Sequence, residues 1–240
     1  MLNKYNFKVR EFASKEQSRY TLQAIQVTRE ATVATDGHKL MWVSTPAVEA
    51  KDFPVVPGAP PATNEFDPFL LDSDTAKIIE RALPRKDTYP VLLNAALGYE
   101  VRDNLASMPV VTVTDLQTPQ SFRPRRVDGT FPNYEAVIPR GEVKVRFAVN
   151  AGYLAEIAKF AKDFTGDSQC HKVVVTVYDK HTAIRFDAHN SDTDQGMTAL
   201  LMPLRIEDND DVVNSYGYKQ RQAEREAQET ANKSLSDAAD

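Results

Sequence analysis

Alternation with a period of two dominates this sequence, and it leaves room for few folds. Residues 21–27, 110–116, 143–149, 172–179, 182–188 and 198–206 each set polar and apolar side chains on opposite sides of an extended backbone. Only two segments of the body carry the helical period instead. Residues 74–83 follow Asp72 and Ser73, either of which can cap a helix. They align Thr75, Ile78, Ile79, Ala82 and Leu83 before Pro84 ends the run. The second helix follows Asn150 as N-cap and runs to about Lys162. Leu154, Ile157, Ala158 and Ala161 form the stripe expected to be buried, with Lys159 and Lys162 outside. Many strands and two helices predict an α+β fold.

The order of these elements repeats. An extended segment, one helix of three turns and two or three strands occupy 66–122, and again 143–206. Residues 5–45 read as the same unit without its helix, because 6–13 run through Ser14-Lys15-Glu16-Gln17 straight into the next strand. Four prolines beside Gly58 make 54–64 a loop. Residues 207–240 hold nine acidic side chains against four basic, which accounts for the whole net charge of −5 and leaves the body neutral. That tail has almost nothing apolar to bury and reads as mobile or weakly helical.

Several function classes drop out. No run approaches the roughly 18 apolar residues of a membrane-spanning helix, the first residues carry no export signal, and Cys170 is alone, so a reducing cytoplasm is expected. Cys170, His171, His181 and His189 match no compact zinc spacing, and no metal or cofactor is expected. No phosphate loop or nucleophile motif is present, and the carboxylates recur at no acid–base spacing, so the chain reads as a non-enzyme. Asp36 and His38 could form an acid–imidazole pair, yet Thr35-Asp36-Gly37-His38-Lys39-Leu40 reads first as a tight turn between strands. Basic residues cluster at Lys77, Arg81, Arg85 and Lys86 and at Arg123, Arg125 and Arg126, where phosphates could be met without base reading.

Two apolar elements interrupted by proline carry more information. One is Asp128-Gly129-Thr130-Phe131-Pro132-Asn133-Tyr134 followed by Val137-Ile138-Pro139; the other is Leu200-Leu201-Met202-Pro203-Leu204-Arg205-Ile206. Apolar edges of this kind suit peptide grooves.

With the 35–40 turn and the 74–83 helix, these elements stand in an order that resembles the bacterial DNA polymerase III β subunit family, the sliding clamps. The resemblance implies a DNA-clamp (processivity) fold of repeated βαβββ-like units. It divides the chain into a middle-domain-like body over 1–127, a connector over 128–142, and a half-domain over 143–206 similar to the C-terminal half of the last clamp domain. The charged tail follows over 207–240. A client-peptide pocket is implied at Leu22, Thr35, Gly37, His38, Lys39, Leu40, Pro132, Val137, Leu200, Met202, Pro203, Leu204 and Arg205. A DNA-facing set is implied at Lys77, Arg81, Arg85, Lys159 and Lys162. The expected partners are DNA polymerase and other proteins with clamp-binding motifs, double-stranded DNA bound without sequence preference, and further copies of the chain. The family's whole first domain has no counterpart here. Two functions stay open: a shortened clamp closing as an oligomer, and a clamp-like adaptor or competitor that binds client peptides without encircling DNA.

Overall fold

The computed structural model describes residues 1–16, 18–46, 48–84, 89–100, 108–124, 127, 129–139, 144–166 and 171–205. The expected tail over 207–240 therefore lies outside the described residues, as do Arg85, Lys86, Arg125, Arg126, Asp128 and Cys170. The chain divides into two units, Met1–Ile138 and Pro139–Asp240.

The first unit contains the repeat twice. Strand β1 (Leu2–Asn3) leads into helix α1 (Lys4–Lys8), then strands β2 (Ala24–Val27), β3 (Ala31–Thr35) and β4 (Leu40–Ser44). Strand β5 (Phe69–Asp72) leads into helix α2 (Ser73–Ala82), then β6 (Asn94–Glu100), β7 (Met108–Thr114) and β8 (Pro119–Phe122). Each half lends its first strand to the other. The two sheets run β4-β3-β2-β5 and β1-β6-β7-β8, antiparallel throughout, with Leu2 opposite Ala95 and Ile25 opposite Leu71. The exchange draws both halves around one core that includes Leu2, Phe7, Ile25, Leu71, Ile79, Leu97 and Val111.

The first half thus has the helix that the sequence reading omitted. Asn3 Oδ1 accepts from the Tyr5 and Asn6 amides at 2.9 and 3.4 Å, and Asn6 Oδ1 accepts from the Asn3 amide at 3.0 Å. This reciprocal cap starts a helix of five residues, which tightens into a 3-10 turn over Val9–Phe12. A helix so short shows no repeating stripe, and its register is fixed by tertiary bonds instead. Buried Asn6 donates from Nδ2 to Thr32 Oγ1 and to the carbonyls of Val43 and Ser44 at 3.0–3.3 Å. The Arg10–Glu80 ion pair, at 2.7 Å, ties this half to α2.

Helix α2 begins where Asp72 Oδ1 accepts from the Thr75 amide at 2.8 Å. Its buried line is Ala76, Ile79 and Leu83; Ile78, expected inside, is exposed. Helix α2 packs against α1, and Ala76 and Ile79 lie in the shared core with Phe7 while Ile78 stays outside it. The strand expected over 21–27 starts only at Ala24, after a 3-10 turn over Tyr20–Gln23. The Pro-rich 54–64 loop has no helix or strand and lies across β6. The Thr63 amide donates to Leu97 O at 2.7 Å, and a Cβ placed on Gly98 would come 2.7 Å from Pro61 O.

The second unit holds the repeat once. Helix α3 (Ala151–Phe164) is followed by β9 (Val174–Thr176), β10 (Ile184–Asn190) and β11 (Gln195–Leu201), in the sheet order β11-β10-β9. Asn150 caps α3 as expected, accepting from the Gly152 and Tyr153 amides at 2.8 and 3.3 Å. Ile184, Phe186 and Leu201 form a small core with Phe147, Val149 and Ile157 against it.

Three expectations fail in this unit. Residues 144–149 form no strand beyond one bridge, Ala148 to Leu204, and Val143 lies outside the described residues. In the first unit each opening strand pairs on the other half's sheet, and the described residues of the second unit hold a single half. The proposed buried stripe of α3 reduces to Ala161, with Ile157 half-buried and Leu154 and Ala158 exposed, for the same reason. The strand expected over 198–206 stops at Leu201, because Pro203 has no amide hydrogen to continue the ladder.

Candidate functional site

In the first unit, the implied site residues gather around two turns and a connector. Thr35 Oγ1 accepts from the Gly37 amide at 3.0 Å and donates to Lys39 O at 2.8 Å. Asp36 Oδ1 accepts from the His38 and Lys39 amides at 2.9 and 3.0 Å, and Gly37 takes φ +92°. These backbone bonds hold the Asp36 carboxyl below the usual aspartate range. The Asp36 carboxylate thus serves the turn, and no geometry favours the acid–imidazole alternative. His38 and Lys39 are exposed, and Leu40 is half-buried at the start of β4. Lys39 also lies over the Phe12 ring at 5.1 Å.

The connector reaches the other side of this patch. Gly129, at φ +124°, sits so close to Thr21 that a Cβ would meet Thr21 Cγ2 at 2.5 Å. That contact brings the 129–132 segment beside the turn that carries Leu22. Phe131 is buried edge-on to Tyr134, while Pro132 and Val137 are exposed. Sequence reasoning missed Arg19, which joins the two turns. Its guanidinium donates to Asp36 O at 3.2 Å and pairs with Glu16 at 3.1 Å. Nothing in the spacing signals this role; the residue acts through tertiary contact.

In the second unit, β11 ends in an apolar ledge. Leu201 is buried, while its neighbours Leu200 and Met202 are 65% and 64% exposed. Beside the ledge lies a concavity of about 590 Å³ lined by Arg146, Phe147, Lys180, His181, Pro203, Leu204 and Arg205. The implied Pro203, Leu204 and Arg205 therefore come together, joined by four residues that the sequence reading did not select. Lys180 and His181 arrive on the turn after β9, shaped by Asp179 Oδ1, which accepts from the His181 and Thr182 amides at 2.6 and 2.8 Å. Those amides hold the Asp179 carboxyl below its usual range. An apolar rim beside Arg146, Lys180 and Arg205 can take a peptide with hydrophobic anchors and a carboxylate.

The implied DNA-facing residues divide between the units. Lys77 and Arg81 are exposed at i and i+4 on α2, and Lys159 and Lys162 are exposed on α3. Arg123 drops out of the basic connector cluster, because its Nε donates to Glu100 Oε2 at 2.9 Å and the pair is neutral. Among the described residues no three His, Cys, Asp or Glu side chains converge as metal ligands, and no helix is long and apolar enough to cross a membrane.

The fold has solved counterparts. The DNA polymerase III beta chain of Streptococcus pneumoniae TIGR4 superposes with a TM-score of 0.58 at 14% identity, over 84% of this chain and 47% of that one. DNA polymerase III subunit beta from Borrelia burgdorferi, solved in complex with a natural product, gives 0.53 at 13% identity, over 86% of this chain and 45% of that one. The chain has a clamp-like α+β fold and spans a little under half the length of these structures. No protein-family model matches the chain, and no curated protein matches its sequence.

Proposed function

We propose that this chain is a sliding-clamp-like processivity factor of DNA replication, a non-catalytic cytoplasmic protein that binds client peptides and encircles duplex DNA as a homo-oligomer. Residues 1–127 serve as a middle-domain equivalent, 128–142 as connector and 143–206 as half of a last domain. Clients, DNA polymerase among them, are bound through Leu22, Thr35, Gly37, His38, Lys39, Leu40, Pro132 and Val137 on one unit. Leu200, Met202, Pro203, Leu204 and Arg205 serve on the other. Lys77, Arg81, Arg85, Lys159 and Lys162 meet phosphates without reading bases, as a ring that slides requires.

The observation that carries the reading is the exposed Leu200–Met202 ledge beside a basic concavity, on a fold shared with polymerase beta subunits. Exposed apolar side chains grouped beside a concavity are what a site for a hydrophobic anchor requires. Fluorescence anisotropy with a labelled Gln-Leu-x-Leu-Phe peptide tests it. Saturable binding is expected, weakened by about tenfold or more in the Leu40→Ala/Met202→Ala double variant. Equal affinity of the double variant removes the site assignment.

The alternative is a clamp-like adaptor or competitor that binds clamp-interacting peptides without encircling DNA. An adaptor would bind the same peptide and would not be retained on closed DNA.

A further inference from the structure

We infer that the concavity beside the end of β11 is a carboxylate subsite, and that the clients of this chain are peptides with an acidic run next to their hydrophobic anchors. The inference rests on the peptide-site reading and deepens it, naming the class of peptide that the second unit selects.

Two chemistries meet at this place. Leu200, Met202 and Leu204 are exposed along one short stretch of chain. The space beside them has Arg146, Lys180, His181 and Arg205 in its walls, and no acidic side chain among its lining residues. A pocket for apolar side chains alone needs no cations, and a site for charge alone needs no Leu204 in its wall.

The basic residues come from three stretches of chain that the fold fixes beside one another. The Leu204 amide donates to Ala148 O at 2.7 Å, which lays the segment of Arg205 along the segment of Arg146. Lys180 and His181 are presented by the 179–182 turn. The acid in that turn, Asp179, has its Oδ1 taken by the His181 and Thr182 amides at 2.6 and 2.8 Å. Lys180 and Arg205 have no ion-pair partner among the described residues.

A neutral peptide on the ledge would leave these cations facing water. Carboxylates on the peptide would meet them in charge-assisted hydrogen bonds, with the planar Arg205 guanidinium able to hold one bidentately. This chain's own Glu207, Asp208, Asp210 and Asp211 carry the competing charge, and the test separates them from a client.

Fluorescence anisotropy on the full chain compares the labelled Gln-Leu-x-Leu-Phe peptide, with serine at x, bare and extended at either end by three glutamates or three lysines. At one end the glutamate peptide is expected to bind about tenfold or more tighter than the lysine peptide. Lys180→Glu is expected to lower affinity for the glutamate peptide and raise it for the lysine peptide, a gain that misfolding does not produce. The full-length Glu207→Gln/Asp208→Asn/Asp210→Asn/Asp211→Asn variant is expected to bind the glutamate peptide as the unaltered chain does. Equal affinity for the two extensions, or a preference untouched by Lys180→Glu, overturns this inference while bare-peptide binding leaves the site itself standing. A gain of tenfold or more in the quadruple variant gives the concavity to the chain's own acids and overturns the client. No binding by any peptide removes the peptide site and this inference with it.

Discussion

Thr35-Asp36-Gly37 and Thr114-Asp115-Leu116 build the same turn at the same place in the two halves of the first unit. In each, the threonine hydroxyl accepts an amide two residues on, at 3.0 Å, and the aspartate accepts two further amides. The residue after the aspartate has positive φ, +92° at Gly37 and +74° at Leu116. Glycine adopts that region freely and leucine does not. Leu116→Gly is therefore expected to raise stability by about 1 kcal/mol, a shift of a few degrees in Tm, whereas Gly37→Ala lowers it. A lower Tm for Leu116→Gly contradicts this account of the turn. The same turns set a pH dependence. Asp36, Asp115 and Asp179 are held below their ordinary range first by backbone amides, so their folded pKa lies below the unfolded one. Their contribution is present above about pH 4 and lost as pH falls through the depressed folded values. Thermal melts from pH 6 to pH 3 are expected to show the loss, and the Asp36→Asn/Asp115→Asn/Asp179→Asn variant a smaller one. An equal loss in that variant places the acid sensitivity elsewhere. The shared turn also alters the meaning of 35–40: half of what looked like a functional motif is hairpin chemistry common to both halves.

At the scale of elements, the caps and the strands β7, β10 and β11 were legible; β6 and the short or exchanged pieces were not, and the strand expected over 172–179 forms only over Val174–Thr176. Asp72 and Asn150 cap α2 and α3 as their positions imply, because an N-cap is a local bond between near neighbours. Helix α1 was invisible because five residues show no period and its register depends on Asn6 reaching β3 and β4. Asn3→Ala is expected to cost about 1 kcal/mol in urea melts, the usual worth of a cap; no change removes the cap from the account. Residues 144–149 alternate as a strand should and still make only one bridge, because pairing depends on a partner that a local pattern does not contain. The exposed apolar ledge was legible as an apolar run interrupted by proline, Leu200, Met202 and Pro203 among its residues. Arg146, Lys180 and His181 were not, since they converge only once β9 and β10 are joined by the 179–182 turn.

For the molecule as a whole, the exchange of β1 and β5 explains why one unit is well filled and the other is not. The first unit closes a core between two sheets, and among the described residues of the second unit the core is the smaller cluster around Ile184, Phe186 and Leu201. The proposed function requires several copies of the chain in an assembly large enough to surround DNA. Lys77, Arg81, Lys159 and Lys162 are the charges such a ring would turn inward, so binding should weaken steeply with salt. The most direct test is topological. Linear duplex is incubated with the protein at low salt, circularised by ligase, and then washed at high salt. The clamp account predicts that protein stays on the circle through the wash and leaves when the circle is cut once. Complete loss in the wash, with peptide binding intact, contradicts encirclement and leaves the adaptor.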